Sequence, residues 1–287
     1  MNKRGTKAWV LAGVAAGALC TLVLQAPAAW LAGALASATG QRLLLADARG
    51  TVWNGNAVLV LTGGEGSRDA SALPDRLHWR LRPEPLSLAL ALRATQACCL
   101  NGELQLRLVA GLGRLRVELP GAGMQAAPGA VPQAVPVAGS GPALGQWPAS
   151  WLVGLGTPWN TLRPTGTLQL HSPGLVLEQV QGRWRFTGQL ELTLATLASR
   201  LSTLESLGSY RLTVGGVAAA GPAQLQLSTT EGALQLSGSG QWLGAGAASR
   251  LRFTGQASAA AGFEAALGNL LNIIGRRQGA FSVISIG

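Results

Sequence analysis

The sequence predicts a mainly β protein, with a single N-terminal transmembrane helix ahead of an antiparallel β-rich domain that holds a few short helices. Three observations carry this reading. No charge falls between Lys7 and Arg42, the residues beyond alternate apolar and polar, and Gly and Pro punctuate the alternating runs. Of 287 residues, 40 are Gly, a density that suits many short strands and turns rather than long helices.

The uncharged run begins with Ala8–Leu24, AWVLAGVAAGALCTLVL, and continues past Gln25 and Pro27 into AAWLAGALASA. A bilayer core needs about 20 apolar residues as helix, so residues 8–36 read as a membrane anchor and its extension. Lys3, Arg4 and Lys7 make residues 1–7 a basic stub that stays in the cytoplasm, so the bulk of the chain crosses. Trp9 and Trp30 are separated by about 31 Å of ideal helix, which matches the hydrocarbon thickness. Ala26-Pro27-Ala28 offers a competing reading, a cleaved signal peptide. The long apolar run and the proline between the small residues favour the anchor.

Residues 42–120 form a first β-rich part. HWRLR (78–82) sets His78, Arg80 and Arg82 opposite Trp79 and Leu81. LSLALAL puts Leu86, Leu88, Leu90 and Leu92 on one face, ELQLRLVA does the same for Leu104, Leu106 and Leu108, and RLRVELP for Leu115, Val117 and Leu119. One apolar and one polar face is the antiparallel pattern. Asn101-Gly102 reads as a tight hairpin turn. Residues 121–146, rich in Gly, Pro and Ala, read as a linker or long loop. A second β-rich part, 147–287, opens with a short helix near Pro148–Leu155 amid Trp147, Trp151 and Trp159, residues that suit the sealing of a core edge. Arg183–Gln189 (RWRFTGQ) returns as Arg250–Gln256 (RLRFTGQ), which suggests two tandem sheet-plus-helix units. Their helices are expected at Leu197–Leu207 and Phe263–Ile274, the latter capped by Gly275, with Arg276 and Arg277 opposing its negative end.

The chemistry-bearing residues are scattered. Net charge is +10, from 22 Lys and Arg against 12 Asp and Glu, yet no dense basic block is present, so nucleic acid is not an expected partner. Attraction to anionic headgroups uses the surplus better. His78 and His171 stand alone, and both read as solvent-facing. The acids are isolated, and neither a Gly-x-Ser-x-Gly elbow nor a phosphate-binding Gly-rich loop occurs. No enzyme, metal or cofactor is expected. Cys20 lies in the anchor. Cys98 and Cys99 are adjacent, so a bridge between them requires a distorted turn, with pairing to another chain as the alternative.

Two segments carry a family resemblance. ARGTVWNGNAVLV (48–60) contains Arg49-Gly50-Thr51-Val52-Trp53-Asn54-Gly55, and the C-terminal run LGNLLNIIGRRQGAFSVISIG contains Gly275-Arg276-Arg277-Gln278-Gly279. With the basic stub and single anchor, these resemble protein N of the type II secretion system. The resemblance implies an accessory part of the bacterial inner membrane, with its bulk in the periplasm, that supports export of folded proteins across the outer membrane. Its partners would be other inner-membrane secretion proteins and lipid, with a homo-oligomer also open. Arg49, Gly50, Trp53, Gly55, Gly275, Arg276, Arg277 and Gly279 become the structural or partner-contact residues. The alternative is a lipid-binding envelope protein whose Leu-rich sheet forms an apolar groove. A saccharide-binding face is a third reading, and would need several Trp aligned on one open surface.

Overall fold

The computed structural model describes residues 3–84, 87–111, 113–121, 141–180, 183–216, 222–243 and 250–287. Helix α1 (Lys3–Leu24), with side chains described from Gly13 onward, leads through Ala26 and Pro27 to α2 (Ala28–Ala38). Among the described residues no helix is long and apolar enough to cross a membrane.

The rest is one antiparallel sheet. Its first strands are β1 (Leu43–Gly50), β2 (Asn54–Thr62), β3 (Ala70–Glu84), β4 (Ala89–Thr95), β5 (Leu104–Gly111), β6 (Arg114–Leu119) and β7 (Ala143–Pro148). A 3-10 helix (Ala149–Leu155) and the one-turn α3 (Trp159–Leu162) follow. Then come β8 (Pro164–Val180), β9 (Arg183–Ser199), β10 (Gly208–Gly216), β11 (Ala223–Glu231), β12 (Leu234–Leu243), β13 (Arg250–Ala259), α4 (Glu264–Ile274), β14 (Arg276–Gln278) and β15 (Phe281–Ile286). Among the described residues 15 strands join in the order β1-β2-β3-β4-β5-β6-β8-β9-β10-β11-β12-β13-β15-β14, and β7 adds to β8. The two β-rich parts therefore share one sheet, because β6 pairs with β8 from Arg114↔Val180 to Leu119↔Leu175. The Gly/Pro/Ala-rich stretch falls largely outside the described residues, at 122–140, and β7 occupies its C-terminal end.

Alternation gives the sheet its faces. In β3, Trp79 and Leu81 are buried while His78, Arg80 and Arg82 are exposed. Residues opposite one another across a ladder share a face, so the apolar rows can be followed from strand to strand. Pro83↔Leu90, Leu90↔Leu108, Leu108↔Val117, Val117↔Leu177 and Leu177↔Phe186 make one row. Leu170↔Leu192, Leu192↔Leu212 and Leu212↔Leu227 make another. Helices cover this face near its two ends. At the start, Ala28, Leu31, Ala32 and Leu35 of α2 pack with Leu45, Ala57 and Trp79. At the end, Leu267, Leu270 and Leu271 of α4 pack with Leu207, Tyr210, Leu234 and Ala257. The Pro83–Phe186 row belongs to neither cluster, and Leu90, Leu108, Val117, Leu177 and Phe186 are only half-buried.

Several local expectations change. The tandem Arg-x-Arg-Phe-Thr-Gly-Gln runs each open the second strand of a hairpin, β9 and β13, but only β13 is followed by a helix. At Leu197–Leu207, β9 continues to Ser199, paired with Pro164, and a turn follows to Gly208. Leu197, Leu201 and Leu204 have helix-like spacing because a strand end and a turn feed the same core under α4. Asn101-Gly102 is not a two-residue hairpin. The connection between β4 and β5 runs from Gln96 to Glu103, and within it Cys98 and Cys99 are bonded to each other. His171 is half-buried rather than solvent-facing: it lies in β8, where the pairing with β9 shifts between His171 and Gly174, with Nδ1 3.1 Å from the Gly141 carbonyl. Leu88 does not join the face of Leu90 and Leu92. It sits at the β3–β4 turn with φ 50, and β4 begins at Ala89. Leu86 lies outside the described residues. The short helix expected near Pro148–Leu155 is the 3-10 helix, which packs on β2, β3 and β8. Its Trp151 donates Nε1–H to the Ser71 carbonyl and stacks on Trp147 at 6.5 Å.

Candidate functional site

The first motif builds the junction between the N-terminal helices and the sheet. Gly50 ends β1 with φ 88, a turn conformation that suits glycine. Thr51 and Val52 then dock on the chain between α1 and α2: Thr51 bridges Pro27, and the Val52 amide donates to the Ala26 carbonyl at 2.9 Å. Trp53 donates Nε1–H to the Val23 carbonyl at 2.7 Å, near the end of α1, and its own carbonyl accepts from the Leu81 amide. Gly55 is buried opposite Trp79, and a Cβ there would lie 2.5 Å from Trp79 Cζ2. Only glycine lets the large indole close the core under α2. Trp79 in turn donates Nε1–H to the Val52 carbonyl at 3.1 Å.

Arg49 is exposed, with Nη2 2.8 Å from Asp47 Oδ2. Arg76 reaches the same carboxylate at 2.8 Å and also donates to the Asp47 carbonyl. The two guanidinium groups, Arg76 foremost, hold the Asp47 carboxyl below the usual carboxylate range. Asp47, Arg76, Trp79 and the Val23 carbonyl complete this junction and were not among the residues singled out from the sequence. The signal for Trp79 was present, a Trp at an apolar position between His78 and Arg80, whereas Asp47–Arg76 joins residues 29 apart.

The second motif lies at the other end of the strand order. Gly275 is extended, with φ −164 and ψ −178, so it is a strand entry and not a left-handed helix cap. A Cβ on it would lie 2.4 Å from the Val283 carbonyl of β15. Arg276 and Arg277 are exposed in edge strand β14 and do not cap α4. Arg277 donates Nε–H to the Gly279 carbonyl at 2.8 Å, and Gly279, with φ 62, turns the chain toward β15. The predicted contact residues are thus split between two sites: Arg49, Gly50, Trp53 and Gly55 at the β1 edge, and Gly275, Arg276, Arg277 and Gly279 at the β14 edge.

A recess of about 660 Å³ opens beside the Cys98–Cys99 turn, lined by residues that include Asp75, Arg76, His78, Thr95, Gln96 and Glu103. Gln96 is buried and donates Nε2–H to the Asp75 carbonyl at 3.3 Å, which ties the turn to β3. Among the described residues no group of three His, Cys, Asp or Glu side chains is arranged to hold a metal ion.

The family model for type II secretion system (T2SS), protein N, matches residues 41–283. The match takes in both motif clusters and nearly the whole sheet. The chain belongs to the type II secretion system protein N family. No curated protein and no solved structure matches it. As a protein N, the chain is a type II secretion component, and its two motifs have distinct structural jobs. One locks the first sheet edge to the N-terminal helices, and the other forms the last edge.

Proposed function

We propose that this protein is a non-catalytic accessory component of the inner-membrane part of the secretion machine, supporting export through protein–protein contacts. In this reading α1 spans the inner membrane and the sheet stands in the periplasm. The carrying observation is the junction. Val14, Leu19, Leu22, Val23 and Leu24 of α1 are exposed, which water does not favour and lipid does. The Trp53–Val23 hydrogen bond couples that helix to the sheet. Lys3, Arg4 and Lys7 supply the positive-inside signal. The contacts themselves are assigned to β1 and β14, which end the strand order among the described residues, because an edge strand can accept a partner strand.

A photo-crosslinking residue in place of Arg276, used in intact secreting cells, tests this. Capture of another inner-membrane secretion protein, or of a second copy of this chain, is the expected result. Recovery of phospholipid alone would sink the contact role. An alkaline phosphatase fused after Gly287 should be active, and an inactive, stable fusion would place the sheet in the cytoplasm and end the anchor reading.

The half-buried Leu90–Phe186 part of that row favours a second reading, lipid handling. Acyl chains laid along this row would cover apolar surface that neither helix covers. Mass spectrometry of the protein extracted without added lipid decides it: stoichiometric phospholipid that is lost on Leu108→Glu supports lipid handling, and a lipid-free protein removes it.

A further inference from the structure

The antiparallel registers bring the β1–β2, β3–β4 and β5–β6 turns to one end of the sheet. It is the end that holds α1: Trp53 in the first turn donates to Val23, and the Leu81 amide donates to the Trp53 carbonyl. The next two turns are tied together by the Ala110 amide and the Leu88 carbonyl at 3.4 Å. Three features of this rim are unexplained by the fold. Leu88 is 78% exposed at its turn, with a left-handed φ of 50. Arg80, Arg82 and Arg114 are exposed and have no acidic partner among the described residues. Arg80 also stands directly opposite Arg93 across the β3–β4 ladder, a like-charge pair that costs stability.

Nearby cations are handled differently. Arg93 pairs with Glu103, and Arg107 pairs with Glu84 and Glu118. Glu84, the acid next to the β3–β4 turn, is already held by the Ser87 hydroxyl and by Arg107, and Asp47 near the β1–β2 turn by Arg49 and Arg76. Trp30, 53% exposed, follows the Pro27–Thr51 bridge at the same junction. The opposite end differs in sign. Its turns present Glu65 and Asp69 with Arg42 and Arg68, and then Glu103.

We propose that this rim is a membrane-surface contact: Arg80, Arg82 and Arg114 engage the phosphates of anionic phospholipid in the outer leaflet while Leu88 enters the headgroup layer. The proposal rests on α1 as an anchor, because Trp53 then sets the rim at the lipid surface where α1 emerges. An exposed apolar side chain flanked by unpaired guanidinium groups is the chemistry such a surface recognises. Each basic residue near an anionic surface favours contact by about fivefold. The contact would fix the sheet's tilt on the bilayer rather than supply the anchoring itself.

The test uses the full chain, carrying Cys20→Ala, in vesicles of phosphatidylcholine with or without phosphatidylglycerol. An environment-sensitive fluorophore is attached at Leu88→Cys, and in a second protein at Glu65→Cys. In anionic vesicles the Leu88 probe should shift to the blue and be quenched by lipids spin-labelled near the headgroup, and the Glu65 probe should remain aqueous. Arg80→Gln/Arg82→Gln/Arg114→Gln should reduce quenching at Leu88 severalfold, as should omission of phosphatidylglycerol. An aqueous Leu88 probe on protein that floats with the vesicles and resists carbonate overturns the rim contact and leaves the anchor standing. Protein that fails to float overturns both.

Discussion

At the scale of residues, stability at the junction depends on two indoles with different tasks. Trp79 fills the core beneath α2, and removing a buried aromatic costs about 3–5 kcal/mol. Trp79→Ala should therefore lower the unfolding free energy of the full chain in detergent by that amount, read from urea titration. Trp53→Phe should cost only about 1 kcal/mol, the net worth of a hydrogen bond, and should speed amide exchange at Val52–Asn54 and Leu81. Equal effects from the two variants would show that this division of labour is wrong. Asp47 gives a pH signature. Its folded pKa is lowered by Arg76 and Arg49, so its contribution is present above the ordinary carboxylate pKa of about 4 and is lost as pH falls through the lower folded value. Between neutral pH and pH 3, Asp47→Asn should show a smaller loss of Tm than the parent chain. Tyr210 acts at the other limit. Burial pushes its phenol up, and its hydroxyl donates to the Leu234 carbonyl at 3.0 Å. A raised folded pKa means stability is complete below about pH 10 and falls as pH rises further, a decline that Tyr210→Phe should blunt.

Elements show where pattern and packing agree. Helix α4 reads cleanly because Leu267, Leu270 and Leu271 are buried on one face. Leu270→Ala should cost about 2–5 kcal/mol, read as a lower denaturant midpoint with faster exchange in β13 and β15. Gly275→Ala should also destabilise, by about 1–3 kcal/mol, because the new methyl meets the Val283 carbonyl. A neutral Gly275→Ala would remove the reason for glycine at that strand entry. The expected helix at Leu197–Leu207 failed on the same criterion that made α4 succeed. Apolar spacing of three and four residues reports burial on one side, and a strand end followed by a turn satisfies it when β8 is available for pairing. Likewise Leu88 broke its strand pattern because a left-handed turn residue interrupts the two-residue period.

For the whole molecule, the sheet is continuous across the Gly/Pro/Ala-rich stretch. Two co-expressed pieces, residues 1–121 and 141–287, should co-purify, because the six-residue β6 strand pairs along its length with β8. Pieces that fold and elute apart would show two independent domains.

By itself the sequence determined the β class, the apolar and polar faces, the family and the last helix, because all of these follow from local alternation or from short contiguous motifs. Burial of Trp79 and Leu81 opposite exposed His78, Arg80 and Arg82 could be read from a five-residue run. Tertiary structure alone decided that both β-rich parts form one sheet, that the two motifs occupy opposite edges, and that Trp53 clasps the end of α1. It also decided that Arg80, beside the β1–β2 turn, and Arg82, Leu88 and Arg114, beside the next two turns, lie toward one end of the sheet. Each of these depends on which strand pairs with which. Strand pairing is set by backbone hydrogen bonds between segments distant in the chain, and such bonds leave no period in the sequence.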